Sequence, residues 1–182
     1  MSTSFSSNHV FVVMGVSGSG KSAVANAVAQ HWQAAFLDGD FLHPRANIEK
    51  MAAGHPLNDA DRQPWLQAIN DAAFAMQRTN QVSLIVCSAL KKSYRDILRR
   101  GNQNLSFIYL QGDFATIESR LLARKGHFFK SQMLVTQFAT LEEPTSAEQD
   151  VMAIDITPPM ADVVTATLQA IAAVMSQDVE TK

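Results

Sequence analysis

The stretch Gly15-Val16-Ser17-Gly18-Ser19-Gly20-Lys21-Ser22 decides how the rest of the chain is read. A short apolar run, Val10-Phe11-Val12-Val13-Met14, stands before it, and a segment rich in helix formers, Ala23 to Gln30, follows. Strand, glycine-rich loop and helix form the context in which glycine, four residues and Gly-Lys-Ser make a phosphate-binding P-loop. Glycines let backbone N–H groups converge on one anion, and the following helix adds its positive dipole end, roughly half a charge. In that reading Gly15 to Ser22 hold the nucleotide phosphates, Lys21 reaches the β- and γ-phosphates, and the Ser22 hydroxyl is a ligand for Mg2+.

Working outward, the chain of 182 residues is long enough for one domain with a sizeable core, or one domain with a small lid. An apolar fraction of 47% and a charged fraction of 18% are those of an ordinary soluble protein. A net charge of -2 and a pI near 6.2 argue against nucleic acid as the main partner. The single cysteine, Cys87, excludes an internal disulfide framework and fits a reducing, cytoplasmic setting. Met1 to His9 is polar and serine-rich, unlike a secretory signal, and no apolar run approaches the roughly 20 residues that span a membrane. The sequence does not fix the oligomeric state; a homodimer is the assembly entertained.

Strands and helices alternate along the chain, as βαβ units of a mostly parallel sheet do. Strands are expected at Val10–Met14, Ala34–Leu37, Val82–Cys87, Leu105–Leu110 and Val151–Ile156. Helices are expected from the P-loop to about Trp32, over Arg45–Ala53, from about Asp61 to Arg78 with Pro64 in the first turn, over Lys92–Arg100, from Ala115 to about Lys125, and over Ala161–Met175. Trp65, Ile69, Ala72, Ala73 and Met76 form the expected inner face of the long helix, and the tail after Ser176 reads as frayed.

Asp38-Gly39-Asp40 falls at the expected C-terminal end of the second strand, the edge where open α/β sheets bind ligands. Phosphoryl transfer needs one carboxylate for hydrated Mg2+ and another to orient the attacking hydroxyl. Two acids one residue apart on an extended end point the same way, so both can face one cleft, Asp38 serving the metal and Asp40 the acceptor. The third strand ends in Cys87-Ser88 without the acid that motor and switch ATPases place there, which lowers their standing. His43, Arg45, His55, Asn58, Asp61 and Arg62 suggest a pocket for a polar, anionic acceptor, and Lys91 adds positive charge to it. Lys92 and Arg95 read equally as pocket charge or as a solvated helix face. Arg120, Arg124, Lys125, His127 and Lys130 around Gly126 read as a basic lid over about 124–144 that closes on the phosphates.

Taken together these blocks resemble the ATP-dependent gluconate kinases, a P-loop family related in fold to shikimate kinase and the nucleoside monophosphate kinases. The resemblance rests on Gly15 to Ser22, Asp38 to Pro44, Pro56 to Asp59, Asp61 to Trp65, Cys87 to Lys91, Arg124 to Phe128 and Asp155 to Pro159. It implies one three-layer α/β/α P-loop kinase domain over 1–182. The sheet would be five-stranded and parallel, in the order 2-3-1-4-5, with an acceptor segment at about 41–80 and a helical lid. It implies transfer of a phosphoryl group from ATP to D-gluconate, with Mg2+ as cofactor. Lys21, Asp40 and Arg124 would be catalytic, Arg120 would help bind the nucleotide, and Asp40, His43, Arg45 and Lys91 would bind the substrate. Two rivals stand beside it. One is a kinase of the same fold for another acceptor, such as shikimate or a nucleoside monophosphate; the other is a nucleotide-dependent switch with slow hydrolysis and a protein partner.

Overall fold

The structure, a computed structural model, describes residues 7–123 and 131–180. Five strands, β1 (His9–Met14), β2 (Ala35–Asp38), β3 (Val82–Val86), β4 (Leu105–Gln111) and β5 (Val151–Asp155), make one sheet. Its order is β2-β3-β1-β4-β5 with every pair parallel. Among the described residues the helices are α1 (Lys21–Trp32), α2 (Arg45–Ala52), α3 (Asp59–Thr79), α4 (Lys92–Arg99), α5 (Phe114–Ala123), α6 (Ser131–Thr140) and α7 (Met160–Glu180).

The central strands β3, β1 and β4 are buried on both faces because both faces are covered, while the edge strands β2 and β5 are only partly buried. Phe11 and Val13 of β1, Leu84 of β3 and Ile108 of β4 pack beneath α1 and α7, against Val24, Val28, Ile171 and Met175. Val10, Val12 and Met14 point the other way with Ile85 and Phe107, into α3 and α4 through Trp65, Leu66, Ile69 and Leu98. The register puts Val12 beside both Ile85 and Phe107, so each layer of the second core is continuous across three strands.

The long helix begins earlier than expected. Asn58 and Asp61 form a reciprocal capping box, so α3 starts at Asp59 and Pro64 lies in its second turn. Of the expected inner face Trp65, Ile69 and Ala73 are buried and Ala72 and Met76 only half-buried, while Leu66 and Asn70 join the buried face. Asn70 donates to the carbonyls of Ile97, Leu98 and Arg100 at 2.9, 3.1 and 2.8 Å, which satisfies the C-terminal end of α4. The tail expected to fray continues as helix to Glu180.

Arg95 is neither a solvated residue nor pocket charge: it is fully buried. Its guanidinium meets Glu148 at 2.7 and 2.8 Å and donates to the carbonyls of Ala89, Leu90 and Glu142. Arg99 joins through Glu148 and Asp150. This network fastens the chain after α6 to the loop after β3. Lys92 pairs with Asp96 on the exposed side of α4.

Candidate active site

Three loops at the C-terminal edge of the sheet build the site: the P-loop after β1, the acidic turn after β2 and the loop after β3. The P-loop turns tightly enough that Gly20, at φ 97°, is the N-cap of α1. No side chain caps α1 and no acid stands in its first turn, so its leading N–H groups are left for an anion. The Lys21 ammonium folds back on the Val16 carbonyl at 2.9 Å. A cavity of about 240 Å³ opens over the loop, lined by Ser17, Gly18, Gly20, Lys21, Ser22, Asp38 and Asp40. A larger hollow of about 540 Å³ lies around Ser7, Phe74, Arg78 and Gln103, away from these groups.

The two acids share this cavity for a different reason from the one expected. Only Asp38 is on extended backbone; Asp40 stands in a 3-10 turn over Gly39–Leu42, and the Asp38 side chain caps that turn by accepting from the Asp40 N–H at 3.0 Å. Gly39 is pressed against β3, where a Cβ would lie 2.5 Å from the Val86 carbonyl oxygen. The buried Trp65 indole donates to the Gly39 carbonyl at 2.8 Å. Strand end, turn and α3 therefore place both acids in the lining of the cavity that Lys21 and Ser22 share. Lys21, a hydroxyl and two carboxylates fit a phosphate chain with a hard, oxygen-seeking cation such as Mg2+.

The other expected residues divide. His43 stacks on Trp65 with ring centroids 4.2 Å apart and lies 4.0 Å from Asp40. Burial lowers its pKa below the ordinary histidine value against the opposing pull of Asp40, favouring the neutral ring. Lys91 is paired with Asp59 at 2.9 Å, and the Tyr94 hydroxyl donates to the same carboxylate. The Tyr94 and Lys91 contacts hold Asp59 below the usual carboxylate range. Arg62, stacked 5.9 Å from the Tyr94 ring centroid, donates to the Leu57 carbonyl. Arg45 is exposed on the first turn of α2 and does not line the cavity. His55 is exposed, while Asn58 and Asp61 are spent on the cap of α3, with Lys50 on Asp61 at 2.6 Å.

Arg120 donates to the Ile156 and Pro158 carbonyls and, with Gly18, Gly20 and Met160, lines a second opening of about 270 Å³ on the far side of the P-loop. Arg124, Lys125, Gly126, His127 and Lys130 lie outside the described residues. Cys87 is a packed residue beyond β3, its thiol pushed up to about 12 by burial and so inert as a nucleophile. Sequence reasoning missed Gln137 of α6, which accepts from the Ser17 N–H at 2.6 Å, and the Asp59–Tyr94 partnership. Both contacts join distant segments and leave no local signature.

Comparison with known proteins agrees with this architecture. The family model of adenylylsulphate kinase matches residues 7–151. The thermoresistant gluconokinase of Escherichia coli (strain K12) is 71% identical over 94% of this chain and 98% of its own length. The thermosensitive gluconokinase of the same strain is 48% identical over 90% of this chain and 88% of its own. The crystal structure of a gluconokinase from Sinorhizobium meliloti 1021 superimposes with a TM-score of 0.83 at 42% identity, covering 93% of this chain and 94% of that one. With a shared fold, a shared P-loop and identity extending over nearly the whole length, the chain belongs to the gluconokinase family of P-loop kinases.

Proposed function

We propose that this chain transfers the γ-phosphoryl group of ATP to the primary hydroxyl of D-gluconate, giving 6-phospho-D-gluconate and ADP. The observation that carries the reading is the single cavity in which a P-loop lysine and serine face two carboxylates. Family membership narrows the acceptor to gluconate.

In this reading the loop from Gly15 to Ser22 cradles the phosphates with the N–H groups its own contacts leave open, and Lys21 keeps one of its three donors on the Val16 carbonyl while the others meet the charge that grows on the transferring group. Arg120 lies beside the second opening, which suits the nucleoside end. Ser22 and Asp38 would hold Mg2+, which when bound screens phosphate charge. Asp40 orients the acceptor hydroxyl in line and takes its proton. His43, braced on Trp65, keeps the Asp40 side of the pocket in shape. Arg45 and Lys91 are the cations assigned to the acceptor carboxylate, and Arg124 is assigned to the lid over the phosphates. Gluconate would then compete with Asp59 for Lys91.

The domain reading follows: one kinase domain over 1–182, an acceptor segment at about 41–80 and a lid at about 124–144. Among the described residues no helix is long and apolar enough to cross a membrane; a cytoplasmic setting, a homodimer and no nucleic-acid partner complete the proposal, and sedimentation velocity checks the dimer.

A coupled assay of ADP release with gluconate, shikimate, AMP, adenylylsulphate or no acceptor tests the function. Turnover with gluconate alone is expected. Equal ADP release without an acceptor, or preference for another acceptor, would overturn it.

A further inference from the structure

The peptide unit between Val16 and Ser17 is clamped at both ends. Its carbonyl accepts from the Lys21 ammonium at 2.9 Å and from the Ser19 N–H at 3.3 Å. Its N–H donates to the Gln137 side-chain oxygen at 2.6 Å, across 120 residues. A trans peptide is planar, so its N–H and C=O cannot turn independently. Gln137 therefore sets the direction of the carbonyl on which Lys21 rests.

Gln137 does not sit on a loose arm. Its helix α6 buries Leu134 completely and packs Phe138 against Phe114 of α5 with the rings tilted by 58°. Just beyond, Glu142 donates its N–H to the Leu90 carbonyl at 2.9 Å, and buried Arg95 holds the Glu142 carbonyl at 3.0 Å. The loop is backed at its next residue as well, since a Cβ on Gly18 would meet the Leu121 side chain at 2.6 Å.

The two openings of the loop give the clamp a side. Ser17 lines the cavity shared with Lys21, Asp38 and Asp40, and is absent from the opening lined by Gly18, Gly20, Arg120 and Met160. The clamped peptide thus belongs to the transfer end of the phosphate chain. We propose that Gln137 is a positioning residue for the γ-phosphate: through the Val16–Ser17 peptide it aims Lys21 from the lid helix. This rests on the nucleotide reading of the P-loop given above.

Gln137→Met keeps the length of the side chain and removes the acceptor. Isothermal titration in the presence of Mg2+ compares ADP with the imido analogue of ATP, which carries a γ-phosphate that is not transferred. Losing the clamp should weaken the analogue about 10-fold, the worth of one hydrogen bond, and leave ADP within about twofold. Gln137→Asn, one methylene too short to reach Ser17, should show the same split and serves if the Met variant does not fold. An equal loss for both nucleotides, or no loss for either, overturns the assignment while leaving the P-loop reading intact. Failure of the unaltered protein to bind either nucleotide overturns the P-loop reading itself.

Discussion

Gly39 separates the two acids of the cavity and leaves no room for a side chain. A Cβ would stand 2.5 Å from the Val86 carbonyl oxygen and 3.1 Å from Ile69. Gly39→Ala should push the turn off β3 at a cost of about 1–3 kcal/mol, lowering Tm by about 3–10 °C in a scanning calorimeter. Because Asp38 and Asp40 move with the turn, kcat should fall with it, which a stability effect elsewhere would not cause. Lys21→Ala should reduce kcat by on the order of 10³-fold with the far-UV spectrum unchanged, since the fold does not lean on the ammonium but the growing phosphoryl charge does. Asp40→Asn should lower kcat by about 10²–10⁴-fold with little change in the KM for ATP, and Asp38→Asn should instead raise the Mg2+ concentration needed for half-maximal rate. Steady-state kinetics with gluconate, ATP and Mg2+ varied in turn separates the two roles. Nucleotide motif and acids could be named from sequence alone because each is a contiguous block. The geometry joining them could not: an extended end was expected, whereas a 3-10 turn capped by Asp38 brings Asp40 round to the same cavity.

At the scale of elements, α6 ties the P-loop to the chain around it through Gln137. Amide exchange followed by mass spectrometry should show peptides of α6 becoming more protected when a nucleotide fills the cradle, since the bound phosphates then stiffen the loop that Gln137 already clamps. Equal exchange with and without nucleotide would remove α6 from the lid. The strands were readable because each is a short apolar run bounded by polar residues, and α1 because of the loop before it. α6 was not, since Ser131–Thr140 carries no charged residue and two β-branched threonines, a pattern that reads as loop. The start of α3 was missed by two residues because an Asn58–Asp61 capping box, rather than Pro64, marks it. Arg95 shows the same limit most clearly. Its helix looks basic and solvated, and the acid that buries it lies 53 residues further along.

For the whole molecule that acid sets a lower limit of pH. Arg95 holds the Glu148 carboxyl down to about 2, from an ordinary value of 4.5. A depressed carboxyl contributes stability above its unfolded value and loses it as the pH falls toward the folded one. Glu148→Ala should therefore cost about 3–5 kcal/mol at pH 7 by stranding a buried guanidinium, about 10 °C or more in Tm. The gap between variant and parent should narrow as the pH falls from 4.5 toward 2, read from thermal melts across that window. The order of the sheet has a consequence in time. β1 does not pair with β2, the strand that follows it in sequence; it waits for β3 at Val82 and β4 at Leu105. On a ribosome adding about 5–20 residues per second, the phosphate-binding loop is made first and stays without its flanking strands for several seconds. The nascent chain carries this apolar strand unpaired through that interval, so its folding is slow, non-local and exposed to aggregation before it is exposed to any substrate.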